Sequence, residues 1–236
     1  MEQLVIIALA SWLAGIVAFA GGFLAHLEGT AETEGKQELI HGIVAFGGGI
    51  LVAAVAFALV PEGMSTLSLP ILAATFCGGG LVFCILDAAI SRTGGSKAQF
   101  MAMLLDFVPE AMALGALFGH SHKTGLLLAL FIGAQNLPEG FNAYRESTRG
   151  KAGTKVSLLV LLAASLLGPV SASCGYLFLR DQQFLTGCIM SFAGGGILYL
   201  VFQDIAPQSK MQQHWSPPLG AVLGFVIGMI GKQVVG

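Results

Sequence analysis

An all-α membrane protein with eight transmembrane helices is the fold class this sequence predicts. Composition, the length of the apolar runs and the sparse punctuation between them predict it. Of 236 residues, 55% are hydrophobic and only 10% charged, and the mean hydropathy is +0.81. Soluble domains carry roughly 25% charged residues, so this chain has too little polar surface to cover a core in water. Apolar stretches of about 20 residues are long enough to cross a bilayer. They recur at 4–26, 42–61, 70–91, 98–119, 124–145, 156–179, 184–205 and 217–235.

Each link supports this division. The first span is longer than the apolar core of a signal peptide and lacks a basic start, so it reads as retained. Residues 28–41 form the longest polar link. The 91–97 and 146–155 links hold Gly, Ser, Arg and Lys, and the rest read as tight turns. No stretch has the composition of a soluble domain, so residues 1–236 read as one transmembrane domain. The 33 glycines fit helices whose backbones approach closely in lipid. Cys77, Cys84, Cys174 and Cys188 all lie inside apolar spans without CxxC spacing, which argues for small packing residues rather than a disulfide or zinc framework.

Lys and Arg set the expected orientation. With the N-terminus outside, the inward links hold Lys36, Arg92, Lys97, Arg145, Arg149, Lys151, Lys155 and Lys210, and the outward ones hold Lys123, Arg180 and Lys232. Eight against three predicts both termini outside by the positive-inside rule. Short loops and the lack of a targeting segment point to a bacterial inner membrane.

The chemistry lies in the fourth and fifth spans. The fourth contains Asp106-Phe-Val-Pro109-Glu110, and the fifth contains Gln135-Asn136-Leu-Pro138-Glu139-Gly-Phe-Asn142. Each sets a polar residue four positions before a Glu, and i, i+4 side chains share a helix face. Asp106 with Glu110, and Gln135 with Glu139, therefore form two-residue claws. Pro109 and Pro138 cannot donate to the carbonyls of Leu105 and Ala134, so both helices are expected to kink there and free an oxygen. At membrane depth a free carbonyl must face protein or a wet cavity.

The two claws fall at one depth. Counted from Lys97, Asp106 is nine residues in and Glu110 thirteen; counted from Arg145, Gln135 is ten and Glu139 six. At about 1.5 Å per residue they overlap near mid-membrane. Residues 98–122 and 124–144 contain no Lys or Arg. An unpaired ionised acid there costs at least ~2.5–3.5 kcal/mol, so the acids are protonated or a cation offsets them. The residues alone leave metal and protons open as cargo.

These motifs resemble the ZIP (Zrt/Irt-like) family of metal transporters, whose fourth and fifth spans carry His-Asn-x-Pro-Glu-Gly and His-x-x-Pro-Glu type motifs around a binuclear metal site. Leu59-Val60-Pro61-Glu62-Gly63 and Phe192-Ala193-Gly194-Gly195-Gly196-Ile197-Leu198-Tyr199 are also similar to family segments, so the resemblance covers essentially the whole chain. Gly47-Gly48-Gly49-Ile50-Leu51 recurs as Gly194-Gly195-Gly196-Ile197-Leu198, as expected of inverted repeats. The resemblance implies eight helices in a 3+2+3 arrangement and alternating access that moves a divalent metal toward the cytoplasm. Glu110, Asn136 and Glu139 keep family metal-binding positions, and Asp106 and Gln135 hold such positions with changed chemistry. Phe107 stands where the family has Asn, and Gly168 where many members have Glu; neither supplies a ligand, so one metal site is expected. The metal is cargo, with zinc, manganese or iron(II) favoured, and no prosthetic group is implied. Loss of both imidazoles leaves oxygen donors, which suit harder ions, although zinc also binds carboxylates.

His26, Glu28 and His41 near the inner face are candidate receivers of departing metal or simple interfacial anchors. His120 and His122 lie in the outer turn above the claws. Asn142 is placed to extend the second claw, Met112 reads as core packing, and Asp87 and Asp204 read as solvated or capping residues. A proton-coupled carrier of another solute and a non-transporting metal-binding relative remain alternatives. No HExxH, GxSxG or phosphate-binding loop is present, so an enzyme is not expected, and no basic patch points to nucleic acid. The expected partners are the metal ion and the bilayer, with a homodimer possible.

Overall fold

The computed structural model describes residues 2–29, 33–93, 98–149 and 153–235. Lys97 and Lys151, which entered the orientation count, lie outside the described residues. The helices are α1 (Glu2–Glu28), α2 (Glu34–Ala54), α3 (Val60–Thr66), α4 (Leu69–Thr93), α5 (Ala98–His120), α6 (His122–Arg149), α7 (Thr154–Ser165), α8 (Leu167–Leu179), α9 (Gln183–Leu200), α10 (Ala206–Gln208) and α11 (Leu219–Val235). Among the described residues there is no β-strand; Met211 and His214 form an isolated bridge.

Three rods are composite, and proline explains each. A π-helical turn over Val55–Leu59 joins α2 to α3, and another over Val201–Ile205 joins α9 to α10. In each, the next residue's N–H reaches back five positions, Val60 to Val55 and Ala206 to Val201, immediately before Pro61 and Pro207. The two wide turns follow the two Gly-Gly-Gly-Ile-Leu segments at nearly the same spacing, so the repeat extends to backbone geometry. Between α7 and α8 the break falls at Leu166, whose N–H bonds Ala163 at 3.1 Å; Pro169 cannot donate to Ser165. By contrast, α5 and α6 stay α-helical through Pro109 and Pro138.

The expected polar link 28–41 is much shorter than its composition implied. Thr33 accepts a bond from the Lys36 N–H and starts α2 at Glu34, as a threonine N-cap does. The second rod therefore carries about two polar turns ahead of its apolar span.

Among the described residues, five helical stretches are long and apolar enough to cross a membrane: Glu2–Glu28, Glu34–Thr66, Leu69–Ala89, Thr154–Leu179 and Gln183–Gln208. The apolar stretch Leu219–Val234 is shorter, and α5 and α6 carry the polar motifs. Outward faces are apolar, with Leu81, Val82 and Ile85 of α4 and Leu177 and Phe178 of α8 exposed. In water such surface drives aggregation; in lipid it is the ordinary boundary. These features define an integral membrane protein.

Helices pack most closely as α1 with α6, α5 with α8, α2 with α11 and α4 with α9. Each pair is seamed by reciprocal glycines set against the partner's backbone. Gly140 lies on Ala18 and Gly21 on Leu137; Gly115 lies on Ala172 and Gly175 on Met112. Gly49 lies on Ala221 and Gly224 on Phe46; Gly79 lies on Phe192 and Gly195 on Phe76. Exchanging α1 with α8, α2 with α9, α4 with α11 and α5 with α6 maps each of these four pairs onto another.

Candidate metal site

The facing helices α5 and α6 bring the two claws together. Asp106, Glu110 and Gln135 are buried, at 6%, 1% and 1% exposure. Gln135 Nε2 donates to Glu110 Oε2 at 2.6 Å, which ties one claw to the other. Three oxygens are then left buried without a partner: Glu110 Oε1, Gln135 Oε1 and Glu139 Oε2. A buried acceptor without a partner costs about 1–3 kcal/mol, so three together need compensation. Two of the three acids also feel a neighbouring acid's charge, Glu110 that of Asp106, and Glu139 that of both Asp106 and Glu110. Among the described residues no three His, Cys, Asp or Glu side chains already form a metal-holding group. The amide oxygen of Gln135 belongs to the orphaned set.

The surrounding residues explain why the motif has this form. Asn136 donates from Nδ2 to the Ala14 carbonyl at 2.9 Å, and Gly140, four residues on, receives the Ala18 backbone. Asn136 and Gly140 thus fasten α6 to α1 on the face beside the acids. Pro138 packs on α2 at Gly47, where a Cβ would come 2.5 Å from its ring. Phe107 is buried, and its ring tip fills a slot between two other glycines. A Cβ at Gly15 would meet Phe107 Cζ at 2.7 Å, and one at Gly168 would meet it at 2.9 Å. Phe107 and Gly168, the two positions the resemblance expected to lack a ligand, are therefore packed against each other.

One end of α6 leads to open space. A cavity of about 550 Å³ is bounded by α2 (Gln37, His41), α6 (Asn142, Arg145, Glu146) and Gln208. Asn142 is one turn from Glu139, so the cavity approaches the site from this end. Arg145 Nη1 pairs with Glu28 Oε2 at 2.7 Å, and Lys36 lies 3.6 Å from Glu28 Oε1. A second cavity of about 500 Å³, lined by His26, Tyr144 and Thr154, shares Arg145.

The secondary candidates are mostly engaged elsewhere. His26 Nδ1 lies 3.0 Å from the Tyr144 hydroxyl, and His41 Nδ1 bonds the Gln208 carbonyl. His120 and His122 are exposed, with His122 edge-on to Phe118. Asp87 is not simply solvated, because Tyr199 donates to it at 3.1 Å; Asp204 is half-buried in the second π turn. Sequence reading missed the Asn136–Ala14 bond and the Phe107 slot. The glycines at 15, 21 and 140 were the available signal for them.

Fold and site together define an integral membrane protein of packed helices with an acid-rich, under-satisfied centre. No family model matches the chain. It is 33% identical over 141 residues to the zinc transporter GufA of Myxococcus xanthus, a match spanning 58% of this chain and 54% of that protein. The chain thus aligns with about half the length of this curated relative.

Proposed function

We propose that this chain is a ZIP-like carrier that moves a divalent metal ion across the membrane through the α5–α6 centre. The observation that carries this reading is the set of buried, unpartnered oxygens on Glu110, Gln135 and Glu139. A cation satisfies all three at once, whereas hydrogen-bond donors would have to come from three directions. Asp106 adds charge from the same face, and Asn136 offers its carbonyl oxygen while Ala14 holds its amide. One ion binds, because Phe107 and Gly168 fill the space for a second. The relative's name makes zinc the first cargo to try. The oxygen donors make manganese and iron(II) the next.

In this reading all eight rods span the bilayer in a 3+2+3 arrangement of inverted repeats, with both termini outside in a bacterial inner membrane. Alternating access delivers metal toward the cytoplasm through the cavity at Asn142, and two copies pair in the membrane. The test is metal uptake into proteoliposomes by wild type and Glu139→Ala. Uptake by wild type, lost in the variant, is expected. Wild-type uptake of every divalent metal no faster than empty vesicles would refute transport. Proton flux without metal dependence would assign the acids to a proton-coupled carrier, and saturable binding without flux to a non-transporting relative.

A further inference from the structure

The connection between α10 and α11, residues 209–218, holds a non-glycine residue in the left-handed region, Gln213 at φ 62°. Such backbone persists where the surroundings over-determine it. Here it closes the turn in which the His214 N–H bonds the Met211 carbonyl. That turn aims His214 at the start of α2. Nε2 lies 2.9 Å from Glu34 Oε1, and Nδ1 lies 3.4 Å from Glu38 Oε2. Glu34 and Glu38 are i, i+4 neighbours on one helix face. Ser216 also donates to Glu38.

A neutral imidazole has one N–H and one lone pair, so one of its nitrogens would face a carboxylate lone pair to lone pair. The imidazolium alone donates to both. A single metal ion cannot take this role, because the two ring nitrogens point away from each other toward different carboxylates. From α2 the ring faces Glu34 and Glu38; no further ion pair of His214 is formed among the described residues. The hydrogen bond that His214 donates to Glu34, aided by the charges of Glu38 and Glu34, holds the His214 pKa above its ordinary value.

The contact bears on the cavity. Gln37 and His41 of α2 form one wall and Gln208 another, and the His41–Gln208 bond lies beside the His214 cluster. We propose that His214 is a proton-binding clamp: protonated, it pins the 209–218 connection and Gln208 to α2; neutral, it lets that wall of the cavity loosen. For a raised folded-state pKa, the stabilisation is fully present below the ordinary histidine value and is lost as pH rises through the raised one. The clamp therefore releases on the alkaline side.

The test needs no transport. The chain has two tryptophans, and Trp215, at 89% exposure, adjoins His214. In a Trp12→Phe protein in lipid nanodiscs, Trp215 emission is followed against pH. The expected midpoint lies above the ordinary histidine value of about 6.5, moves down in Glu34→Gln/Glu38→Gln, and vanishes in His214→Gln. Hydrogen exchange of residues 206–216, corrected for intrinsic pH dependence, is expected to quicken above the midpoint in wild type and to be fast throughout in His214→Gln. A midpoint at or below about 6.5, one unmoved by the double variant, or equal protection on both sides of it overturns the clamp. Any of these results leaves the metal-transport reading untouched.

Discussion

Gly140 follows the acid of the second claw, yet α1 dictates its identity. A Cβ on Gly140 would lie 1.9 Å from the Ala18 carbonyl oxygen. Carbon and oxygen approach to about 3.3 Å at closest in such contacts. Gly140→Ala therefore forces α1 and α6 apart by roughly 1.4 Å, from that contact limit, and opens the reciprocal contact of Gly21 on Leu137. Overpacking costs about 1–3 kcal/mol, and an obstacle made of backbone puts this case near about 3. Lost Cα–H···O contacts add about 1 kcal/mol, and alanine's better helix propensity offsets about 1. The net loss is about 3 kcal/mol, or roughly 6–12 °C in thermal midpoint for a chain of this size. The control is Gly78→Ala, where a Cβ meets nothing within 4 Å and the midpoint should hold or rise. Unfolding is followed by circular dichroism in detergent. Equal midpoints for the two variants would refute the close-approach argument.

Gly115→Ala, whose Cβ would lie 1.8 Å from the Ala172 oxygen, should lose about as much in the same melt as Gly140→Ala, as its counterpart under the repeat. Phe107→Ala should cost about 3–5 kcal/mol by opening a cavity between α1 and α8; chemical denaturation in mixed micelles measures it, and a loss below about 1 would mean the slot collapses. Glu28→Gln leaves Arg145 without its partner at a partly buried site, so a loss of about 1–2 kcal/mol that shrinks at high salt is expected, read as a melt at two ionic strengths. Metal uptake should fall as pH drops, because protons compete with the cation for the carboxylates; tracer flux at fixed free metal checks this, and pH-independent uptake would remove the acids from the path.

The long apolar helices and the i, i+4 spacing of the polar residues on α5 and α6 were legible because length, hydropathy and spacing are local properties. What each helix faces was not. A soluble helix shows its inner face as an apolar stripe, but in lipid both faces are apolar and that stripe disappears. The small residues carry the information instead. Gly21 and Gly140 marked the α1–α6 seam, and Gly15 and Gly168 marked the Phe107 slot, yet a glycine alone does not say which backbone passes it. Asn136 illustrates the limit, since its spacing fits a ligand while its amide spans to Ala14, 122 residues away. The polar start of α2 was read as a link because charge argues against lipid, not against helix. His214 carried no local signal, because its partners lie 180 and 176 residues earlier.

The repeat fails where the acids lie. Gly47 and Gly194 open equivalent Gly-Gly-Gly-Ile-Leu runs, each ahead of a π turn and a proline. Gly47 presses on the ring of Pro138, with a Cβ reaching 2.5 Å, whereas a Cβ on Gly194 would make ordinary contacts of 3.4–3.6 Å with Phe76, Leu59 and Val60. So α2 is locked into the proline of the second claw, while α9 does not grip the first in the same way. The cavity at Asn142 opens between that same α2 and α6. A centre held by two symmetric halves would be equally enclosed from both; here the grip is unequal. Crowding Gly47 against Pro138 is therefore the local change that would most directly alter access to Glu139. Gly47→Ala should thus impair metal flux more than metal binding, and equal losses in both would instead mean that Gly47 only holds the site's shape.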